Sequence, residues 1–224
     1  MSPPLALDID GTLTTSTGSL DPRLFDALAA WDAPVVVATG KSFPYPVALC
    51  HFAGLPERVI AENGGVVCTP DTVRFAGDRE RAVRVIEAFE SRGGDVGWSD
   101  ADLVNRWRET ELAVSMDADG TLLRDVAAEF DMEVVDTGYA YHVKTPGVEK
   151  GEGLELVAEE LGFDPAAFVA VGDSENDAST FAVAGRSFAV ANADDVAKAA
   201  ADVVLDEGYM DGTLRALDAV RDAD

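Results

Sequence analysis

The sequence predicts an α/β fold in which a doubly wound, mainly parallel sheet forms the core and a smaller α+β segment interrupts the chain. Two observations predict the sheet. Apolar runs such as 35–38 and 168–171 are continuous, as in strands buried on both faces, and amphipathic helical segments separate them. The third observation predicts the interruption, because the regular alternation stops at about Gly77 and resumes after Lys144.

The predicted core begins with a strand at Leu5–Leu7 and a helix that starts at Asp21-Pro22, residues typical of an N-cap and first helical position. The apolar face of that helix contains Leu24, Phe25 and Leu28. The other core elements are predicted as strand 35–38, helix 44–52, strand 58–61, hairpin 66–68 and 72–75, helix 149–161, strand 168–171, helix 176–184, strand 187–190, helix 194–201, strand 203–205 and a last helix from Asp211.

The interrupting segment has its own order of elements. The pattern predicts helix 79–92, strand 112–116, helix 119–130 and strands 133–135 and 141–144. We therefore expect a core domain made of residues 1–76 and 145–224 and an inserted cap domain made of residues 77–144, called the insert below.

Charge and composition restrict the function classes. The chain of 224 residues has 42 acidic and 17 basic residues, so its formal net charge is −25, and the acids are spread along its whole length. This dispersed acidity around a normally apolar core indicates adaptation to a salt-rich cytoplasm, a halophilic trait. A basic stripe for nucleic acid, a signal peptide and a membrane-spanning apolar run are not found, and two cysteines predict neither disulfides nor a zinc site. We expect a cytoplasmic protein that binds neither nucleic acid nor membranes.

Polar groups follow the predicted core strands at the edge where parallel sheets bind ligands. Asp8 and Asp10 come directly after the first strand, and their i, i+2 spacing points both carboxylates to the same side. Thr39-Gly40 follows the second strand and Glu62-Asn63-Gly64-Gly65 the third, Lys150 starts the helix that re-enters the core, and Gly172-Asp173-Ser174-Glu175-Asn176-Asp177 follows the strand after it. Each segment alone is typical of a solvated loop, but together they predict one site.

The chemistry that these groups support is phosphoryl transfer, which needs a cation, donors for the phosphoryl oxygens and an in-line nucleophile. Asp8 and Asp173 offer the hard oxygen ligands that Mg²⁺ prefers, and Thr39 and Lys150 would bind phosphoryl oxygens. A carboxylate can also attack phosphorus and form an aspartyl phosphate. Asp10 would then protonate the leaving alkoxide and later deprotonate water.

The same residues, in the same order, resemble the four motifs of haloacid dehalogenase-superfamily phosphatases: Asp8-Ile9-Asp10-Gly11-Thr12-Leu13-Thr14, Thr39-Gly40, Lys150 and Gly172 to Asp177. This resemblance implies a Rossmann-like core, Asp8 as nucleophile and Asp10 as acid/base. It implies Mg²⁺ held by Asp8, the backbone carbonyl of Asp10 and Asp173, with Asn176 and Asp177 supporting the site, and substrate contacts from Thr39, Gly40, Lys150 and Asn176.

The insert is similar in position and size to the type-two cap of some superfamily members. The compactness of the insert and the length of the chain are similar to those of the archaeal phosphoglycolate phosphatases. The resemblance therefore implies a Mg²⁺-dependent hydrolysis of a small phosphorylated metabolite, with 2-phosphoglycolate as the leading substrate. A sugar-phosphate phosphatase or a phosphomutase of the same superfamily stays an alternative. A phospho-receiver signalling domain is the alternative from another class, although such domains lack an insert and a counterpart of Asp10. The sequence leaves open whether the protein is a monomer or a homodimer.

A second copy of the first motif lies inside the insert, at Asp117-Ala118-Asp119-Gly120-Thr121-Leu122. If it were the true site, the first 110 residues would have no role and Lys150 would follow too soon for an intervening cap. We therefore interpret Asp117 or Asp119 as the N-cap of a helix in the insert.

The insert also contains candidate substrate ligands. Arg106 and Arg108 precede the strand at 112–116 and would pair with a substrate carboxylate, although solvated arginines are an equally good interpretation. The sequence leaves open whether Lys41 contacts phosphate or is only a surface charge. It also leaves open whether His142 has a structural or a functional role. Trp98 and Trp107 are predicted to lie in the core of the insert.

Overall fold

The computed structural model describes residues 2–222, which form eleven strands and eight α-helices. The strands are β1 (Leu5–Leu7), β2 (Val35–Ala38), β3 (Val59–Ala61), β4 (Val66–Cys68), β5 (Val73–Phe75), β6 (Leu112–Ser115), β7 (Glu133–Asp136), β8 (Ala140–Lys144), β9 (Val169–Gly172), β10 (Arg186–Ala189) and β11 (Val203–Val204). The helices are α1 (Arg23–Ala29), α2 (Pro44–Ala53), α3 (Arg79–Ser91), α4 (Gly120–Glu129), α5 (Lys150–Leu161), α6 (Ala178–Val183), α7 (Asp195–Ala200) and α8 (Tyr209–Arg221).

Eight strands form the large sheet, in the order β11-β10-β9-β1-β2-β3-β4-β5. The first six are parallel, and β4 and β5 extend the edge as an antiparallel hairpin. The strand order runs outward from β1 in both directions, so the sheet is doubly wound as predicted. Its switch point, where open sheets of this kind bind ligands, lies beside the carboxyl ends of β1 and β9.

Both faces of the large sheet are covered because alternate residues of each strand point to opposite sides. Leu5 and Leu7 of β1 pack with α1, α2 and α8, through Leu24, Leu49 and Leu217. Ala6 points to the other face and packs with α5, α6 and α7, through Leu154, Phe181 and Ala197. Burial on both faces explains why the parallel strands contain continuous apolar runs.

The predicted apolar face of α1 is wrong at one position. Leu24 and Leu28 are fully buried, but Phe25 is 37% exposed. The stripe that faces the sheet follows the i, i+4 pair, and Phe25 lies one residue, or about 100°, around the helix from Leu24.

The insert forms a separate three-stranded antiparallel sheet in the order β6-β8-β7, with α3 and α4 packed on it. Its apolar core includes Phe89, Leu123 and Val143, all fully buried. We propose residues 77–144 as a cap domain on this basis. None of the described helices combines the length and the hydropathy that a membrane-spanning segment requires.

The predictions for the second Asp-x-Asp copy and for the two tryptophans of the insert differ in how well they agree with the structure. The Asp119 carboxylate accepts hydrogen bonds from the backbone N–H groups of Thr121 and Leu122, each at 3.0 Å, so Asp119 is the N-cap of α4. Trp98 is half-buried and donates to the Ala113 carbonyl at 2.8 Å. Trp107 is 43% exposed, so its predicted place in the insert core is wrong. It belongs to the loop before β6, which contributes other side chains to the interior.

Candidate active site

The first strand of the large sheet ends directly at a buried charge cluster. Asp8 follows β1, and its Oδ1 accepts a hydrogen bond at 2.8 Å from the Nζ of Lys150, the first residue of α5. The same ammonium donates to Oδ1 of Asp177 at 2.7 Å. Lys150 has no exposed side-chain surface, so its charge is compensated only by these two carboxylates among the described residues.

A third carboxylate, that of Asp173, enters the cluster from the end of β9. Its backbone N–H donates to Oδ2 of Asp177 at 3.0 Å, which orders the loop. Gly11 packs directly on it: a Cβ at that position would lie 1.9 Å from Oδ2 of Asp173, and Gly11 has φ +77°. Asn192 contacts both residues, since its Nδ2 donates to the Gly11 carbonyl at 3.0 Å and lies 3.4 Å from Asp173. The loop after β1 and the loop after β9 therefore fix each other.

Oxygen atoms of Asp8, Asp173 and Asp177 all lie within 4.8 Å of one another. Burial raises the pKa of Asp8 well above its usual range, and the charges of Asp177 and Asp173 add to this effect while Lys150 opposes it. Burial and the neighbouring Asp177 likewise raise the pKa of Asp173, to about 7. Like charges packed this closely require a further positive charge to remain ionised together.

The cluster fits a hard divalent cation. Oδ2 of Asp8 is buried and has no hydrogen-bond partner among the described residues, so the nucleophile candidate has one uncommitted oxygen. Unpartnered buried oxygens are unusual, and a set of carboxylate oxygens is the donor set that Mg²⁺ and related cations prefer. Asp8 and Asp173 are therefore placed to bind such an ion, and Asp177, whose oxygens accept from Lys150 and from the Asp173 backbone, is placed to support them.

Thr39 and Gly40 form the turn after β2, next to the cluster. Thr39 is 1% exposed, and its Oγ1 accepts a hydrogen bond from the backbone N–H of Lys41 at 3.1 Å, which leaves the hydroxyl proton to be donated. The Thr39 carbonyl accepts from the backbone of Asn63 at 3.2 Å, which joins this turn to the one after β3. The turn thus presents a hydroxyl donor at the carboxyl edge of the sheet.

Asp10 lies at the mouth of the site and is half-exposed, unlike Asp8. Its Oδ2 is 3.0 Å from Nζ of Lys41, and this ammonium is 5.3 Å from the ring centroid of Tyr139 in the insert. Lys41, whose role the sequence left open, therefore pairs with the acid/base candidate and contacts the turn between β7 and β8.

A cavity of about 300 Å³, called the central cavity below, separates the large sheet from the insert. The core contributes Asp8, Asp10, Thr39, Lys41 and Asp173, and the insert contributes Arg108, Thr137, Tyr139 and His142. The predicted nucleophile, acid/base and threonine thus share one space, and Lys150 contacts it through Asp8. Arg106 does not take part, because it is exposed and lines a depression on the outer side of the insert.

A buried polar network closes the insert side of the central cavity. Glu111 is 1% exposed, and its Oε1 pairs with Arg108 and lies 2.7 Å from Nδ1 of His142. Burial alone would raise the pKa of Glu111, but the charges of His142 and Arg108, together with hydrogen bonds from His142 and Asn63, lower it below its usual value. Glu111 is therefore an ionised carboxylate that holds two cavity-lining side chains in place.

Asn63 connects this network to the core. It has φ +54°, and its Nδ2 donates to Glu111 at 3.0 Å while its Oδ1 accepts from Nδ2 of Asn176 at 2.9 Å. Asn176, predicted to contact substrate, also accepts from the hydroxyl of Ser174 at 2.8 Å. The Asn176 amide is therefore engaged with neighbouring side chains at both ends.

Glu62 anchors the loop that leads into β6. Its carboxylate accepts hydrogen bonds from the backbone N–H groups of Glu109 at 3.0 Å and Thr110 at 2.8 Å, and from the Thr110 hydroxyl at 2.8 Å. Burial and the charge of Glu111 raise the pKa of Glu62. The sequence placed Glu62-Asn63 at the site edge as the turn after the third strand, but it indicated no partner for either side chain. Asn192 has a local signal, because it follows the predicted strand 187–190 at the same edge of the sheet, and it contacts Gly11 and Asp173 there. Glu111 carried no local signal, because its role depends on which distant side chains it meets.

Comparisons with known proteins agree with this fold. A family model described as haloacid dehalogenase-like hydrolase matches residues 5–98 and 125–217, which is more than half of the chain. The doubly wound core with its carboxylate–lysine cluster is that of a hydrolase. The chain belongs to the haloacid dehalogenase-like hydrolase family, as its motifs indicated.

Several relatives are similar over nearly their whole length. A phosphoglycolate phosphatase of Halorubrum lacusprofundi is 64% identical over 223 residues, which cover 99% of this chain and 98% of that protein. A phosphoglycolate phosphatase of Archaeoglobus fulgidus is 36% identical and covers 95% and 94%, respectively. A crystal structure of a Thermoplasma acidophilum protein superposes with a TM-score of 0.87 at 24% identity over 99% of both chains, which confirms the fold.

Proposed function

We propose that this protein is a Mg²⁺-dependent phosphatase that hydrolyses 2-phosphoglycolate to glycolate and phosphate. The observation that carries this proposal is the buried Asp8, which lines the central cavity. Its Oδ1 is bound by Lys150, and its Oδ2 has no hydrogen-bond partner among the described residues. The full-length similarity to proteins named phosphoglycolate phosphatase supports the choice of substrate.

In the first half of the reaction, Oδ2 of Asp8 attacks phosphorus and the bond from phosphorus to the glycolate oxygen breaks. Lys150 fixes the other oxygen of Asp8 and thereby orients the attacking one. Thr39 donates a hydrogen bond from its hydroxyl group to a phosphoryl oxygen, and Asp10 transfers its proton to the glycolate alkoxide. The product of this half is an aspartyl phosphate on Asp8.

In the second half, Asp10 accepts a proton from a water molecule that attacks the phosphorus of the aspartyl phosphate. The bond from Asp8 to phosphorus then breaks, phosphate is released and the Asp8 carboxylate is restored. Asp10 is suited to both halves because it lies at the mouth of the cavity, where leaving group and water enter. The insert covers the cavity and limits the access of further water.

Mg²⁺, when bound, would neutralise charge on the carboxylates and on the phosphoryl oxygens. Asp8, Asp173 and the backbone carbonyl of Asp10 would hold it, and Asp177 would support them through its hydrogen bonds to the Asp173 loop.

A comparison of substrates tests this function. We expect the highest kcat/KM with 2-phosphoglycolate, lower values with sugar phosphates, and loss of all activity when EDTA removes Mg²⁺. A sugar phosphate that exceeds 2-phosphoglycolate would overturn the substrate assignment, and full activity in EDTA would overturn the metal assignment.

The nucleophile is tested by Asp8→Asn, which preserves shape but removes the attacking oxyanion. We expect kcat to fall at least about 1,000-fold while the melting temperature is kept, because the substitution removes covalent catalysis and a buried repulsion together. Turnover above about a tenth of the wild-type rate would show that Asp8 is not the nucleophile.

A further inference from the structure

Arg108 presents one uncommitted donor to the central cavity. Its side chain is 3% exposed, its Nε donates to the Val104 carbonyl at 3.2 Å, and its Nη1 donates to the Gly40 carbonyl at 2.9 Å and pairs with Glu111. Within residues 2–222, Nη2 of Arg108 makes no hydrogen bond. It is also absent from the set of unpartnered side-chain atoms that are fully buried, so it keeps some accessible surface. Because Arg108 lines the central cavity, Nη2 reaches the space that the substrate would fill.

The guanidinium is held rigidly in this orientation. Glu111 pairs with it from the insert, and Glu111 is itself fixed by His142 at 2.7 Å and by the Asn63 amide at 3.0 Å. All three partners of Glu111 are buried. A planar donor with two of its three nitrogens committed is pre-organised, so little conformational entropy is lost when the third nitrogen binds an anion.

The position of Arg108 restricts the length of the molecule that it can contact. Its Nη1 bonds to the carbonyl of Gly40, the residue after Thr39, which is the proposed phosphoryl-oxygen donor. A group bound by Nη2 is therefore only a few atoms from a phosphoryl group bound at Thr39. This spacing fits a two- or three-carbon phosphorylated acid better than a sugar phosphate.

The other cations of the site are already engaged with carboxylates. Lys150 binds Asp8 and Asp177 beneath the cavity, and Lys41 pairs with Asp10 at the partly exposed mouth. Arg108 is thus the buried cation of this site with a free donor, Nη2, and it would contact the substrate at a distance from the carboxylate–lysine cluster.

We propose that Arg108 is the specificity-determining residue that binds the carboxylate of the substrate through Nη2, and that Glu111 is the positioning residue that holds it there. This inference rests on the proposed phosphatase function and narrows it to short phosphorylated acids. It also separates the two arginines between which the sequence could not choose.

The test compares 2-phosphoglycolate with ethyl phosphate, which has a methyl group in place of the carboxylate. For Arg108→Met we expect the ratio of the two kcat/KM values to fall about 100-fold, since a buried charged hydrogen bond is lost for one substrate only. Activity on ethyl phosphate should fall by a much smaller factor, which reports the loss of the bond from Arg108 to the Gly40 carbonyl. An equal loss on both substrates would show a structural role and overturn the proposal.

Control variants make the result specific. Arg84→Met removes an exposed arginine of α3 and should leave the ratio unchanged. Arg106→Met and Lys41→Met test the competing cations, and a larger fall of the ratio in either than in Arg108→Met would overturn the assignment. Glu111→Gln should raise KM for 2-phosphoglycolate and leave kcat and KM for ethyl phosphate nearly unchanged, whereas a merely structural residue would affect both substrates alike.

A measurement on the wild-type protein covers the case in which Arg108→Met does not fold. Phosphonoacetate carries a carboxylate that ethylphosphonate lacks, and we expect it to inhibit ethyl phosphate hydrolysis with a Ki about 30-fold lower or better. Equal inhibition constants would overturn the carboxylate site while the phosphatase function stands. A wild-type protein that hydrolyses neither substrate would overturn the proposed function and the inference together.

Discussion

At the scale of single residues, Gly11 is a position where both the backbone conformation and the surrounding space exclude a side chain. It combines φ +77° with a close approach to Asp173, whereas Gly18 has a similar φ of +81° and open space around it. A comparison of variants at these two glycines therefore distinguishes the effect of backbone strain from the effect of displacing Asp173, a candidate metal ligand.

We expect Gly11→Ala and Gly18→Ala to share a destabilisation of about 1–2 kcal/mol from the left-handed conformation. Only Gly11→Ala should also displace Asp173 and raise the Mg²⁺ concentration needed for half-maximal activity, by at least about tenfold. Urea denaturation and Mg²⁺ titration of both variants measure this. Equal Mg²⁺ requirements in the two variants would contradict a metal role for Asp173.

The raised pKa of Asp173 makes stability depend on pH. The folded protein keeps a proton on this carboxyl up to about pH 7, whereas the unfolded chain releases it near its ordinary value of 3.8. The stabilisation is thus complete below the unfolded pKa and is lost as the pH rises through about 7. Mg²⁺ binds the ionised form, so its stabilising effect has the opposite pH dependence.

We therefore expect 10 mM Mg²⁺, about a saturating concentration for a site of this kind, to raise the melting temperature more at pH 8 than at pH 5.5. Asp173→Asn cannot titrate and should remove most of this difference. Calorimetry with and without Mg²⁺ at both pH values measures this rise in melting temperature. A larger rise at pH 5.5 than at pH 8 would contradict the prediction.

At the scale of elements, the repeated Asp-x-Asp-Gly-Thr-Leu segment shows how location decides function. After β1 it delivers two carboxylates to the switch point of the large sheet, but after β6 it only begins α4. We expect Asp119→Ala to lower stability by about 1 kcal/mol through loss of the N-cap and to leave kcat/KM unchanged.

Asp117→Ala is the matched control for that variant, because Asp117 is exposed and accepts no backbone hydrogen bond of α4 among the described residues. It should change neither stability nor activity. Complete loss of activity in Asp119→Ala would mean that the second copy of the motif is the catalytic one.

Most elements were predictable from the sequence because their signals are local. The apolar runs of β1, β2 and β9 need only neighbouring residues to be recognised, and the motif residues follow those strands directly. The predicted start of α1 at Asp21-Pro22 is one residue early, because the observed N-cap is Pro22 and the helix begins at Arg23. The network around Glu111 was not predictable, because it joins β6, β8 and the turn after β3 through side chains distant in sequence. Arg106 and Arg108 look equivalent in sequence, and only packing buries one and exposes the other.

At the scale of the whole molecule, a net charge of −25 opposes the compact state. The range of this repulsion shrinks from about 10 Å at 0.1 M salt to about 3 Å at 1 M. Few ion pairs relieve this repulsion, because acidic residues outnumber basic residues and buried basic residues such as Lys150 belong to the candidate site.

We expect KCl to raise the midpoint of urea unfolding steadily between 0.1 M and 2 M. A gain of about 2 kcal/mol would appear as a rise of about 4–8 °C in melting temperature. Sorbitol at equal osmolality is the control, because it is uncharged and does not screen. A stability that is independent of KCl, or that sorbitol reproduces fully, would contradict an electrostatic cause.

The amide of Asn63 has a consequence for the chemical lifetime of the protein. An asparagine followed by glycine deamidates readily in a mobile chain, because the next backbone nitrogen attacks the side-chain carbonyl carbon and ammonia leaves. Here Glu111 and Asn176 hold both ends of that amide, so the folded state protects Asn63 from the cyclisation. An aspartate formed there would face the Glu111 carboxylate at close range, so ageing of the unfolded chain at this one position would impair refolding of the interface between sheet and insert.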